Sequence, residues 1–438
     1  MEQISKRLKT QTTAMSLFLQ SLLNIVIGII MILGDELLLA KGIRLLLSYF
    51  AINLIINFIQ ILSHLKKDKK KIVQSVLKFF AAGIILFYLD KYIHTMMPII
   101  PIAMCFWALL ATFSNLISLV LYWKEEVSVR FRFVCAAVAN MAFAGFFLTD
   151  NYRRLSTSIN VIGIYLIVLG CSVFFDALTE AMPSRYQNAT KYRSKITLPV
   201  FMTTFIPLAL LKNINEFLEE SMNENVELKS EKDTVEPNIE IFIHISNRLS
   251  RVVGHVDFAI GDKVICYGAY DKESIKFGGV LGTGILFEVY NKKDYIEFCK
   301  EFKNEVLFGF GLALTDEELN KLKIAVEELK SRVHVWKSNA QIALEENKEA
   351  CHFEDYASKL YNTTDVTFYK FTKGAYKHFW IMGTNCVKFT DSLLKASGIK
   401  TVMAGIITPG TYFTFLNGEF MKENSMVVKR EIYLNLKK

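Results

Sequence analysis

Hydrophobicity is spread unevenly along this chain, and that asymmetry limits the possible folds more than any motif does. Up to about Leu211 the sequence is a succession of long apolar runs separated by short charged loops. Beyond it, helical and strand periodicities alternate at the composition of an ordinary globular domain. A mean hydropathy of +0.28 over 438 residues therefore averages two unlike halves. About 20 mostly apolar residues let a helix cross a bilayer. The expected organisation is a polytopic membrane domain over 1–195, a short seventh apolar segment at 196–211, an acidic linker at 212–238 and an α+β domain over 239–438.

Within the first half, six spans are expected at 15–33, 43–62, 76–96, 100–123, 133–148 and 159–178, grouped as three helical hairpins. The N-terminus is polar and basic, and the apolar run after it is long enough to span and carries no cleavage site, so it reads as a retained helix. Basic residues cluster at the N-terminus (Lys6, Arg7, Lys9) and in alternate loops: Lys66, Lys67, Lys69, Lys70 and Lys71; Lys124, Arg130 and Arg132; Arg185, Lys191, Arg193 and Lys195. By the positive-inside rule these loops are cytoplasmic, which predicts a multi-pass plasma-membrane protein with a cytoplasmic N-terminus and the lipid bilayer as a partner. Charges inside the spans are few, with Asp176 the most interior acid, so a transport pathway is not indicated.

Segment 196–211 decides the compartment of the second half. As a helix it rises only about 24 Å against a core of roughly 30 Å. Its basic approach and acidic exit nevertheless favour crossing, which tilts the expectation toward an extracytoplasmic globular domain.

The seven cysteines show neither paired zinc-type spacing nor the density of a disulfide scaffold. His244, His334, His352 and His378 have no partner at ligand spacing, so no metal is expected. The glycines at Gly278-Gly279 and Gly282-Thr283-Gly284 precede a strand and lack the Lys-Ser/Thr of a phosphate loop, so no cofactor is expected either. The formal charge of +8 resides largely in the membrane loops, and no nucleic acid is expected as a partner.

Two stretches carry chemistry. Gly254-His255-Val256-Asp257-Phe258-Ala259-Ile260 reads as a strand opening on a histidine, with Asp257 on the same face as His255. Gly383-Thr384-Asn385-Cys386 reads as a cap leading into a helix over 386–396 that Gly398 closes. In that helix Cys386, Phe389, Leu393 and Leu394 share one face. A helix N-terminus favours a thiolate, and a histidine within reach can take its proton and return it to a leaving group. Around these lie expected strands at 239–245, 264–267, 285–290, 366–371 and 378–382, and helices from 292 to 302 and from 315 to about 333. The apolar segments 402–407 and 411–416 read either as closing strands or as a patch against the membrane.

The order of these elements, histidine strand and Gly-Asp turn first, return strand Val264-Ile265-Cys266-Tyr267-Gly268 next and Asn385-Cys386 last with Phe389 one turn on, resembles the circularly permuted papain-like group. That group includes permuted NlpC-type peptidases and lecithin retinol acyltransferase-like enzymes, and the resemblance covers about 239–400. It implies Cys386 as nucleophile through a thioester, His255 as general base and acid, and a third, ring-orienting position near Cys266 or Tyr267. A three-residue turn would set Tyr267 on the side of His255; the second histidine that acyltransferase members often carry there is absent. The layout of three helical hairpins over roughly 10–185 resembles the HdeD-like acid-resistance membrane family. Together the resemblances imply a membrane-anchored cysteine peptidase, amidase or acyltransferase. Its substrate would be a cell-wall peptide outside the membrane, or a protein amide or lipid acyl group inside. The rival expectation is a non-enzymatic membrane stress protein whose globular domain binds a ligand or partner through a degenerate site.

Overall fold

The computed structural model describes residues 14–34, 83–84, 99–127, 130–148, 151–181, 192–195, 229–231, 236–245, 254–301, 306–347, 353–398, 400–403, 408–422 and 425–433. Its contacts divide the chain into two compact units. One comprises Ser21–Phe113 and Ala136–Cys171; the other comprises Met1–Gln20, Ser114–Cys135 and Ser172–Lys438.

The N-terminal half contributes helices α1 (Ala14–Leu33), α2 (Ile99–Lys124), α3 (Arg130–Leu148) and α4 (Asn151–Ala181). Among the described residues two helical stretches, Pro101–Lys124 and Phe131–Leu148, are long and apolar enough to cross a membrane, in place of the six expected spans in three hairpins. The multi-pass reading is corrected accordingly. The apolar stretches of α1 and α4, Leu17–Leu33 and Ile159–Phe175, are shorter, and α4 spends its opening turns on polar residues including Arg153 and Arg154. The expected spans at 43–62, nearly all of 76–96 and the segment 196–211 lie outside the described residues. Only 28% and 22% of the two long apolar windows are buried, and Ile102, Phe106, Val120, Trp123, Phe131, Val138 and Leu148 point outward. A core helix of a water-soluble domain would bury most of that surface. Within the first unit α1 and α4 meet at glycines: a Cβ on Gly28 would stand 2.6 Å from the Gly163 carbonyl oxygen, and the Ser21 hydroxyl donates to the Gly170 carbonyl at 2.8 Å. Small residues and hydroxyl donors of this kind hold helices together where apolar burial gives little drive.

The second half contains strands β1 (Tyr192–Lys195), β2 (Lys229–Glu231), β3 (Ile239–Ile245), β4 (His255–Ile260), β5 (Lys263–Gly268), β6 (Leu281–Thr283) and β7 (Ile285–Val289), then α5 (Lys292–Glu301), β8 (Val306–Leu312), α6 (Asp316–Lys330), β9 (Val333–Trp336), α7 (Asn339–Glu345), α8 (Tyr356–Thr363), β10 (Val366–Phe371), β11 (His378–Trp380), α9 (Cys386–Ala396), β12 (Lys400–Met403), α10 (Pro409–Phe420) and β13 (Val427–Tyr433). Nine strands form one sheet in the order β2-β13-β8-β3-β4-β5-β7-β10-β9, and every neighbouring pair in it is antiparallel. β6 and β11 make a small separate ribbon, and β1 pairs with β12 in parallel. The papain-like expectation is corrected to this large antiparallel sheet with helices on both faces.

Alternation along the strands explains the layering. Ile241, Ile243, Val256, Phe258, Ile265, Tyr267, Phe308 and Phe310 face one side and pack under α6, α9 and α10. Phe242, Ala259, Val264, Cys266, Phe287 and Phe368 face the other, under α5 and α8. Strand β8, absent from the sequence expectation, has glycines at alternate positions, a pattern that reads as loop. The fold uses them for close approach: a Cβ on Gly309 would lie 2.5 Å from the Glu240 carboxylate. Segment 411–416, expected as strand or membrane patch, belongs instead to α10, started by the Thr408 cap and Pro409 in the first turn.

Candidate thiol–imidazole site

Parity along the β4–β5 hairpin decides which side chains meet. Ile260 pairs with Lys263, so the turn holds two residues, Gly261 and Asp262, not the three expected. Gly261 has φ +59°, the conformation that a glycine-first hairpin turn requires. Removing one residue from a turn reverses the face of every residue beyond it. Tyr267 accordingly faces away from His255, and Cys266 takes the side where His255 and Asp257 stand.

The three residues implied as a catalytic set are thus divided by the sheet. Cys386 does open α9 behind an Asn385 cap, whose side chain accepts the Lys388 N–H at 2.9 Å. Its thiol is buried in the core beneath α9, against the backbone of Val256 and Val387. Burial pushes that thiol up to about 11, against the opposing pull of the two backbone groups, so Cys386 is an un-ionised core thiol. Tyr267 occupies the same core, stacked on Phe389 at 4.9 Å, and its hydroxyl donates to the carbonyls of Tyr376 and His378. Neither residue is hydrogen-bonded to His255.

His255 meets a different cysteine. Its Nε2 lies 2.9 Å from Cys266 Sγ, and the Tyr270 hydroxyl stands 3.1 Å from that nitrogen and 3.0 Å from the sulfur. Cys266 is closed to solvent, while His255 is half-buried at the start of β4. Burial, reinforced by Cys266 and Tyr356, raises the Tyr270 phenol well above its ordinary value, so it remains a hydrogen-bond donor.

Behind this triad lies a charged pair. His244 Nε2 is 2.9 Å from Asp257 Oδ2, and the Tyr295 hydroxyl donates to the same oxygen at 2.5 Å. Burial opposes the His244 charge, but Asp257 and Cys299 outweigh it and hold the imidazole well above its usual value. Burial likewise opposes the Asp257 charge, and His244, with His255 and Tyr295, holds the carboxyl below its usual value. The two shifts agree on an ion pair. The second carboxylate oxygen, Oδ1, is buried and accepts no hydrogen bond.

The sequence points to His255, places the third position near Cys266 or Tyr267 by resemblance, and gives His244 no partner. A two-residue Gly-Asp turn was the signal that places Cys266 across from Asp257. Nothing local to Tyr270, Tyr295 or Cys299 marks them; they reach the site through a strand end and a helix packed over the sheet. No family model, no curated protein and no solved structure matches this chain. The resemblances to papain-like and HdeD-like proteins therefore rest on the short motifs and layout alone.

Proposed function

We propose that the globular half is a thiol enzyme of the hydrolase or acyl-transfer type, acting on an amide or ester carbonyl at a membrane surface, with Cys266 as nucleophile and His255 as its base. The observation that carries this reading is the 2.9 Å contact between His255 Nε2 and Cys266 Sγ. Proton transfer from Cys266 to His255 gives a thiolate and an imidazolium, and the nearby Asp257 carboxylate favours the imidazolium. The thiolate adds to the carbonyl, His255 returns the proton to the departing amine or alcohol, and water or an acceptor then cleaves the thioester. Tyr270 holds the pair in register by contacting both partners. Because Cys266 is enclosed and His255 is not, substrate approaches from the His255 side.

The membrane part of the reading rests on the two long apolar helices and their exposed faces. The test is cysteine labelling of the full-length chain in detergent by iodoacetamide across pH, read by peptide mass spectrometry. Cys266 is expected to label with a thiolate pKa below the ordinary value of about 8.5, and that pKa should rise in His255→Ala. Labelling of Cys386 in preference to Cys266, or a Cys266 rate indifferent to His255 in a folded variant, overturns the assignment.

A further inference from the structure

The same face of the sheet gathers more than a nucleophile and its base. His255, Asp257 and Cys266 each offer one ligand atom, and the three atoms all lie within 4.8 Å of one another. Asp257 presents its two oxygens unequally: Oδ2 accepts from His244 and Tyr295, while Oδ1 is buried without a donor. An ionised oxygen enclosed in a core without a partner is unfavourable unless something positive joins it. His244 and Tyr295 also fix the carboxylate's orientation, as the outer groups of metal sites fix their ligands.

We propose that His255, Asp257 and Cys266 form a site for a divalent transition metal, zinc by ligand chemistry, in which Asp257 supplies Oδ1 and Tyr270 donates to the Cys266 thiolate. One nitrogen, one sulfur and one carboxylate oxygen make a borderline-soft set that suits zinc and its spectroscopic substitute cobalt, and not magnesium or calcium. Tetrahedral zinc holds nitrogen and sulfur ligands about 3.5 Å apart, given metal–ligand bonds of about 2.0–2.3 Å. The His255–Cys266 contact of 2.9 Å therefore opens by roughly half an ångström on binding, which a turn of the half-buried imidazole can supply. Binding releases the Cys266 proton to solvent and leaves a fourth position for water. A metal held there occupies the Cys266 sulfur and blocks its attack on a carbonyl, so occupancy and thiol chemistry exclude each other. The inference shares side chains with the proposed enzyme but does not depend on turnover.

The experiment is a Co²⁺ titration of the full-length, chelator-stripped chain in detergent, followed by optical absorption. A thiolate-to-cobalt charge-transfer band saturating at one equivalent, and bleached by added Zn²⁺, is expected. Cys266→Ala should abolish the band, and Asp257→Asn should weaken binding by about tenfold or more. Cys386→Ala should leave both unchanged. A folded wild-type chain with no charge-transfer band, or a band that survives Cys266→Ala, overturns the metal site. Neither result touches the thiol reading, which the pH dependence of Cys266 labelling decides in metal-free protein.

Discussion

His244 and Asp257 form an ion pair 2.9 Å long from Nε2 to Oδ2, and neither side chain reaches solvent appreciably. Their pH dependence follows from opposite shifts. The raised His244 contributes stability fully below its unfolded value of about 6.5 and loses it as pH rises through its higher folded value. The lowered Asp257 contributes above its unfolded value of about 3.9 and loses it as pH falls through its lower folded value. Both therefore act fully between about pH 4 and 6.5. Thermal melting should be highest in that window and decline toward alkaline pH. His244→Ala leaves buried Asp257 with only the Tyr295 hydrogen bond and the neighbouring His255, and is expected to cost about 3–5 kcal/mol, with loss of the alkaline slope. Urea unfolding of the two proteins across pH measures both effects.

Gly261 sets the parity of the hairpin, and with it the face on which Cys266 sits. Its φ of +59° disfavours any side chain, although a Cβ there would meet no atom within 4 Å. Gly261→Ala should therefore act through backbone strain alone, costing about 1–2 kcal/mol. The Cys266 contact with His255 should survive, because the register is unchanged. Equilibrium unfolding gives the first quantity, and the Cys266 labelling profile checks the second.

What the sequence disclosed follows from how local each signal is. Strand β3 and helix α9 were legible because alternation in IEIFIHI and the Asn385 cap are local. The inward face of Cys386, Phe389, Leu393 and Leu394 was legible for the same reason, and all four lie in one core. The partner of His255 was not, because it depends on a one-residue difference in turn length. Strand β8 escaped because Gly309 and Gly311 erase its alternation while serving Glu240, Pro237 and Tyr433. The metal-capable trio, at positions 255, 257 and 266, follows no ligand spacing because two strands supply it across a hairpin.

Asn385 explains by capping what its pairing with Cys386 suggested by chemistry. Its Oδ1 accepts the Lys388 N–H at 2.9 Å and its Nδ2 donates to the Ile381 carbonyl at 2.8 Å. Asn385→Ala should cost about 0.5–2 kcal/mol of stability, and Asn385→Asp should not recover it, because the carboxylate keeps the Lys388 acceptor but faces the Ile381 carbonyl with no donor. The Cys266 labelling pKa should not move in either variant. A change in that pKa would instead tie α9 to the reactive site.

Ser114–Cys135 packs on the globular half within one compact unit, and its contacts begin at Ser114, midway along the apolar stretch Pro101–Lys124. Glu125 Oε1 lies 3.0 Å from His378 Nε2 and 3.1 Å from Lys377 Nζ, Lys388 Nζ reaches the Tyr122 hydroxyl at 3.2 Å, and the Trp380 indole N–H donates to Ser114 Oγ at 3.3 Å. The same stretch carries Lys124, Arg130 and Arg132, the basic loop that the positive-inside rule assigns to the cytoplasm. Were that loop cytoplasmic, the globular half bound to it would lie on the same side, opposite to the expectation drawn from segment 196–211. Protease added to sealed right-side-out vesicles should leave the globular half intact and cut it only after permeabilisation. Glu125→Ala removes the acid that holds Lys377 and His378, and should speed cleavage near 372–377 in permeabilised vesicles while leaving the site around Cys266 unaltered. Digestion from the outside in intact vesicles would place the domain beyond the membrane and reject the docking argument.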